Sequence, residues 1–547
     1  MQKEAAMQGS ELTAQQQQVL RREQLGKQWL WGAVRVSEEL EPARLQRAVQ
    51  QLAAAEEVLR AESAVGVEIA ECESAAVAEL MHQWGRYGQW NEDDERWDLK
   101  LLRVRGAQSV LGVRMSPLCG DRETLRQVME DVLAGYEQGQ REMPRRLQYA
   151  DYRTWQDEVQ EEEGAEGRAY WERDRQRGEQ RRELRLGLER SAGELSGGDW
   201  LRHRVAVAPE LVEQVRRVAA AEAVSEDAVL LSVWQLLLWR HAEAEVVEVE
   251  TYFDGRKYED LRDGFGRYAR YLPVSARLDG RLTFDHLIKS IDEVLKEHVE
   301  WQEHYLTDEV SRVSESTIGF EYLNWSRAWA GAELPVEWVW LEERVGGQKL
   351  KLRAESEGSG LWAELEYDEQ VLSESAVAWL SEQYVQLLKG LSGAPEQLVS
   401  EAELISVRER EQVLSGWNPP VVVSNEGTCS VVQLFEAQVE QRPEATAIVS
   451  GSEQLSYEEL NRRANQLAHY LRGQGVGAEV VVGLCLERSV EMVVGLLGIL
   501  KAGGAYLPLD PAYPRQRLEY LLSDAQVGLV LTQGRLLDQL PVHWGQT

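Results

Sequence analysis

From Val480 to Leu509 the chain reads strand, helix, strand, and this order constrains the fold more than any other feature of the sequence. Val480-Val-Val-Gly-Leu-Cys-Leu486 is an apolar run of strand length, Val490 to Leu500 reads as a helix, Gly503-Gly504 stops it, and Ala505 to Leu509 returns to strand. Two strands joined by a helical crossover run parallel, whereas a tight turn reverses the chain. Parallel strands need helices over them, so this end of the chain is α/β. Just upstream, Ser456-Tyr-Glu-Glu459 predicts a capping box, with the Ser side chain accepting an orphan helix N–H and Glu459 reaching back. Leu460, Ala464, Leu467, Ala468 and Leu471 then recur at spacings of three and four until Gly473 and Gly475, an amphipathic helix. Leu434-Phe435 fits an earlier helix and Ala447-Ile-Val449 a short strand.

At 547 residues the chain holds two or more domains, each large enough for its own core. A formal net charge of -33 repels phosphate backbones and anionic membrane surfaces, which argues against nucleic-acid and membrane partners. The most basic stretch, Arg173 to Arg177 and Arg181 to Arg185, is interleaved with acids and reads as a solvated helical face. Cys72, Cys119, Cys429 and Cys485 are scattered without CxxC spacing, as in a reduced cytoplasmic protein. No run approaches the roughly 18 apolar positions of a membrane span, and Met1-Gln-Lys-Glu-Ala-Ala-Met-Gln8 has no apolar signal core. The histidines form no HxxxH or HExxH pair, so no metal site is expected. The Pro pair and turn formers of Gly416-Trp-Asn-Pro-Pro through Thr428 read as a linker between domains.

Leu455-Ser-Tyr-Glu-Glu-Leu-Asn-Arg-Arg-Ala-Asn465 resembles the first core motif of adenylation domains from nonribosomal peptide synthetases. Leu500 to Pro511, with Tyr513-Pro514-Arg515, resembles the second. The Gly/Ser/Thr loop that grips ATP phosphates in that family is not found between Pro514 and Thr547. The resemblance therefore implies ATP and Mg only where the missing adenylation part is present, and no cofactor on this chain itself. The first 410 or so residues resemble the condensation domain that precedes adenylation. The similarity runs through Ala14-Gln15, Glu57-Val-Leu-Arg60, Leu147-Gln-Tyr-Ala-Asp151 with Trp155, Ala169-Tyr-Trp171, Gly266-Arg-Tyr-Ala-Arg-Tyr-Leu-Pro273, Gln302 and Leu414-Ser-Gly-Trp-Asn418. The implied fold is α/β throughout. Two chloramphenicol-acetyltransferase-like lobes in a V span residues 8–180 and 181–412. A linker follows at 413–430, then a partial adenylation N-terminal subdomain with parallel strands at 431–547. In the family, two carrier-borne phosphopantetheine arms meet between the lobes and the acceptor amine attacks the donor thioester.

The family's signature is His-His-x-x-x-Asp-Gly between a strand and a helix. Here Val110 to Met115 is the strand, and Leu125, Val128, Met129, Val132, Leu133 and Tyr136 mark the helix. Between them stands Ser116-Pro-Leu-Cys-Gly-Asp-Arg122, with both histidines gone. Pro117 has neither a titratable group nor a backbone N–H. Ser116 without a base is a poor proton acceptor, and Cys119 has no identifiable His partner and reads as a small buried hydrophobe. Asp121 survives; the resemblance gives it a salt-bridge role, and its position suits a helix N-cap. Ser116 and Asp121 are thus the candidate site residues. Arg122 replaces the family's glycine and is expected to narrow the tunnel. Ala269-Arg270-Tyr271 replaces Val-Asn-Thr and reads as a different strand surface.

General acid–base catalysis supplies about 10²- to 10⁴-fold, roughly 3 to 5.5 kcal/mol, whereas positioning supplies about 7 to 11 kcal/mol. Losing the histidines therefore leaves room for residual condensation only if the tunnel stays open and carriers dock. The expected role is a segment of a peptide synthetase module, noncatalytic or weakly active, serving as a platform for carrier-bound thioesters and for the adenylation domain. Its partners are carrier domains and the rest of the synthetase. Two alternatives stand beside it: an acyltransferase of unusual chemistry, with Ser116 managing the proton of a hydroxyl acceptor, and a stand-alone interaction protein.

Overall fold

A computed structural model describes residues 12–23, 28–60, 65–87, 97–105, 108–139, 145–162, 164–177, 184–190, 200–242, 244–305, 317–324, 334–418, 429–542 and 545–547. The chain divides into two units, Met1–Asn418 and Pro419–Thr547. Of the linker expected at 413–430, residues 419–428 lie outside the described residues, as does the lobe boundary at 180 and 181.

In the first unit, helix α1 (Ala14–Glu23) precedes β1 (Trp29–Val36), β2 (Val67–Cys72), helix α2 (Val77–Tyr87), β3 (Trp97–Val104), β4 (Gln108–Met115) and helix α3 (Arg122–Gln138). The second lobe holds β5 (Trp200–Val207), helix α4 (Glu226–His241), β6 (Val246–Phe253), β7 (Arg270–Arg277), helix α5 (Phe284–Trp301) and β8 (Thr317–Asn324). Then come β9 (Val336–Arg344), β10 (Gln348–Glu357) and β11 (Gly360–Asp368). One sheet has the order β2-β3-β4-β1-β9 and the other β5-β11-β10-β8-β6-β7. The span 181–412, expected to be a lobe by itself, thus sends β9 back to pair antiparallel with β1. An alternating segment such as Val336–Arg344 carries no local sign of which sheet it joins.

Helix α4 is apolar all round its axis, and every residue from Ala228 to Leu238 is buried, as a helix without a polar face must be. Glu226 and Asp227 open it, and Arg240 and His241 close it, each sign facing the favourable end of the dipole. Of 19 tryptophans, set against 5 phenylalanines, six gather around the first sheet. Trp29, Trp31, Trp84, Trp97, Trp200 and Trp338 are all buried there. A buried indole usually finds an acceptor: Trp97 Nε1 donates to the Leu59 carbonyl at 2.9 Å, while Trp29, Trp31 and Trp84 keep theirs unbonded. The exposed arginines Arg173 and Arg175 fit the expected solvated face; 178–183 lie outside the described residues.

The second unit contains helix α6 (Val431–Gln441), β12 (Thr446–Ser450), β13 (Glu453–Ser456), helix α7 (Tyr457–Gly473), β14 (Val481–Cys485), helix α8 (Val490–Ala502), β15 (Ala505–Pro508) and β16 (Leu529–Thr532). β14 pairs in parallel with both β15 and β16, as the helical crossover dictates. Gly503 ends α8 in the left-handed region at φ 94. The capping box expected at Ser456 forms only by half. Ser456 Oγ accepts from Glu459 N at 3.2 Å, but the Glu459 carboxylate is taken by Arg462 and Arg463. A complete box occurs instead at Ser430 and Gln433, opening α6. No described helix is long and apolar enough to cross a membrane.

Candidate functional site

The loop from Ser116 to Asp121 connects β4 to α3, between the two lobes of the first unit. Ser116 Oγ accepts from Leu118 N at 3.3 Å, and its carbonyl accepts from Cys119 N at 2.9 Å. The serine hydroxyl is therefore engaged by the turn's own backbone. Leu118 packs on Val19, Tyr271 and Val345, while Cys119 packs against the first-lobe core.

Asp121 is fully buried and caps α3, accepting from Thr124 N at 3.0 Å. Further donors come from the second lobe. Arg256 grips both carboxylate oxygens at 2.9 Å, and Tyr268 N and Ala269 N each donate to Oδ2 at 3.0 Å. Burial raises this carboxyl's pKa, but the Arg256 guanidinium and the amide donors outweigh burial and hold it at about 2. The Thr124 hydroxyl donates to the Gly266 carbonyl at 2.7 Å and accepts from Arg256. Asp121 is thus an interlobe joint, with both carboxylate oxygens facing donors, and holds no proton to exchange near neutrality.

Segments distant in sequence converge here. Tyr149 donates to the Arg267 carbonyl at 2.7 Å, and its ring lies against Gly266, where an added Cβ would stand 2.0 Å from the ring. Gly266 also has φ 151, so only glycine fits. Gln15 donates to Tyr152 at 2.7 Å. From α1, the Gln18 amide bonds both the N–H and the carbonyl of Tyr271, standing in for a neighbouring strand at the sheet edge.

Arg122 is 5% exposed, its Nη2 lies 2.6 Å from Glu321 of β8, and its guanidinium stands 5.3 Å from the Tyr252 ring centre. Burial disfavours the charge, yet Glu321, together with Tyr252, Glu343 and Tyr271, more than reverses this and keeps the guanidinium protonated. Glu321 in turn is held ionised, against burial, by Arg122 and Lys351. The Ala269-Arg270-Tyr271 exchange, expected as a strand-surface change, is instead interior: Arg270 is 2% exposed and pairs with Glu303 at 3.0 Å. Sequence reading missed Arg256, Thr124 and Glu321, because a partner 135 positions away leaves no local pattern. Among the described residues no group of His, Cys, Asp or Glu is arranged to hold a metal ion.

A condensation domain model matches residues 92–414, and an AMP-binding enzyme model matches residues 435–545. A linear gramicidin synthase of Brevibacillus parabrevis is 30% identical over 79% of this chain and 8% of its own length. Bacitracin synthase 2 of Bacillus licheniformis is 28% identical over 81% of this chain and 17% of its own length. The chain therefore spans only a small part of the curated relatives it matches. A four-domain nonribosomal peptide synthetase solved with AMP and glycine superposes at TM-score 0.75 and 17% identity, over 98% of this chain and 44% of that one. The X-domain from teicoplanin biosynthesis, solved in complex with OxyB, superposes at TM-score 0.61 and 17% identity, over 72% of this chain and 96% of that one. At such identities the likeness is one of fold.

Proposed function

The chain belongs to the condensation-domain family, followed by the opening part of an AMP-binding domain, and we propose that its condensation-like unit is a noncatalytic platform within a peptide synthetase module. It works in the cytoplasm, and its partners are carrier domains, with their phosphopantetheine arms, and the rest of the synthetase. The observation that carries this reading is the state of the loop at 116–122. Proline stands where an amine's proton would be received, Ser116 is bound to its own turn, and Asp121 is consumed by Arg256. A general base must be within hydrogen-bond reach and carry a pKa near the working pH, and none of these three groups meets both conditions. The X-domain from teicoplanin biosynthesis, solved in complex with OxyB, shares the fold of this unit.

The test is a reconstituted condensation reaction with loaded donor and acceptor carriers. Product is expected to form no faster with the protein than with the carriers alone. Turnover that Ser116→Ala abolishes, with an amine or a hydroxyl acceptor, would overturn the noncatalytic reading, and the hydroxyl arm identifies the ester-forming alternative.

A further inference from the structure

On β10 and β11 charged residues alternate with apolar ones: Lys351 and Arg353 with Leu350, Leu352 and Ala354, and Glu364 and Glu366 with Ala363 and Leu365. In antiparallel strands this pattern usually means one dry face and one wet face. Here the charged face is buried as well, with Lys351 at 2% and Glu366 at 1% exposure. The charges match across the strands: Lys351 stands opposite Glu366, and Glu366 opposite Arg202 of β5.

These residues form a continuous series of ion pairs. Arg122 at the start of α3 meets Glu321 of β8 at 2.6 Å, and Glu321 meets Lys351 of β10 at 3.3 Å. Lys351 meets Glu366 of β11 at 2.9 Å, and Glu366 meets Arg202 of β5 at 3.6 Å. Arg202 then reaches Glu342 of β9 at 2.8 Å, and Glu342 reaches Arg86 of α2 at 3.1 Å. The series leaves the first lobe at α3, crosses four adjacent strands of the second sheet, and returns to the first lobe through β9 and α2.

We propose that this relay is a lock that fixes the two lobes in one closure and fills the interlobe space a carrier-borne arm would have to cross. The physical reason lies in what opening would do. A buried ion pair adds little stability over apolar packing, but separating its partners strands an uncompensated charge at high cost. Each inner member of the relay serves two partners; parting the lobes at α3 leaves Arg122 without its carboxylate, and parting them at β9 takes Glu342 from Arg202. Closure is therefore all-or-none. Arg122, where the family has glycine, supplies the first link. This inference rests on the noncatalytic reading and deepens it.

Hydrogen exchange on the full chain tests the lock. The Tyr268 and Ala269 amides are bonded across the lobe interface, to Asp121, so they report opening. In the unaltered protein they are expected to exchange as slowly as the β7 strand amides. Glu321→Gln, beside the α3 link, and Arg202→Met, beside the β9 link, neither touching Asp121, are each expected to accelerate them at least about tenfold while β10 and β11 amides change by less than about twofold. Rapid exchange in the unaltered protein, or unchanged exchange in both variants, would overturn the lock. Should one variant fail to fold, the other decides. Fast exchange without condensation turnover sinks the lock alone; slow exchange with turnover keeps the fixed closure but sinks the noncatalytic reading and, with it, the obstruction of the arms.

Discussion

Replacing Asp121 with alanine is expected to cost the first unit about 3 to 5 kcal/mol, the range for breaking a buried charge pair by removing one partner. The substitution leaves Arg256 buried and without its carboxylate, removes the acceptor for Tyr268 N and Ala269 N, and uncaps α3. Asp121→Asn fares little better, because its amide nitrogen must face donors. A pH signature accompanies the loss. The carboxyl is held at about 2, below its unfolded value of 3.8, so its contribution is fully present above about pH 4 and fades as pH falls through about 2. That part amounts to about 2 kcal/mol. Urea denaturation followed by tryptophan fluorescence reads it cleanly, since every tryptophan except Trp544 lies in the first unit. The unaltered protein should lose stability between pH 4 and 2 by about 2 kcal/mol more than Asp121→Ala does. Equal losses would remove Asp121 as the interlobe joint.

The same residue shows how far the sequence could be read. Asp121 was legible as a helix cap because capping is local: a short acceptor side chain just before a periodic apolar stripe. The β4–loop–α3 order and the parallel strands near Val481 were legible for the same reason, since period and crossover length are written within about 30 residues. The return of β9 to the first sheet was not, because strand pairing leaves no mark on the strand itself. Nor was the relay. Lys351, Arg353 and Glu355 alternate with apolar residues just as a solvated face would, and only the partner lobe turns that face inward. Arg270 was misjudged likewise, as its reason is Glu303 on another element. Periodicity reports which side of an element differs from the other; it does not report what covers the polar side.

Restoring a histidine with Pro117→His alone is expected to produce no condensation above background, whereas Pro117→His combined with Arg122→Gly is expected to raise the rate by about 10²- to 10⁴-fold, the usual yield of a positioned acid–base group. The single variant supplies a base, but the Arg122 guanidinium still stands beside Tyr252, paired with Glu321. The double variant removes the first link of the relay together with its volume. Glu321 keeps Lys351 as a partner at 3.3 Å, so removing Arg122 does not leave that carboxylate alone, and the second sheet should hold. Arg122→Gly without the histidine isolates the effect of opening: it should admit substrate with little gain in rate, seen as product formation that saturates with carrier concentration but stays near background. Full activity from Pro117→His alone would mean that Arg122 does not obstruct the arms. A double variant no faster than either single one, with the fold intact, would mean that the loss of function reaches beyond positions 117 and 122. The contrast between the single and double variants separates two losses that the sequence presents together, that of the proton acceptor and that of the space in which it would act.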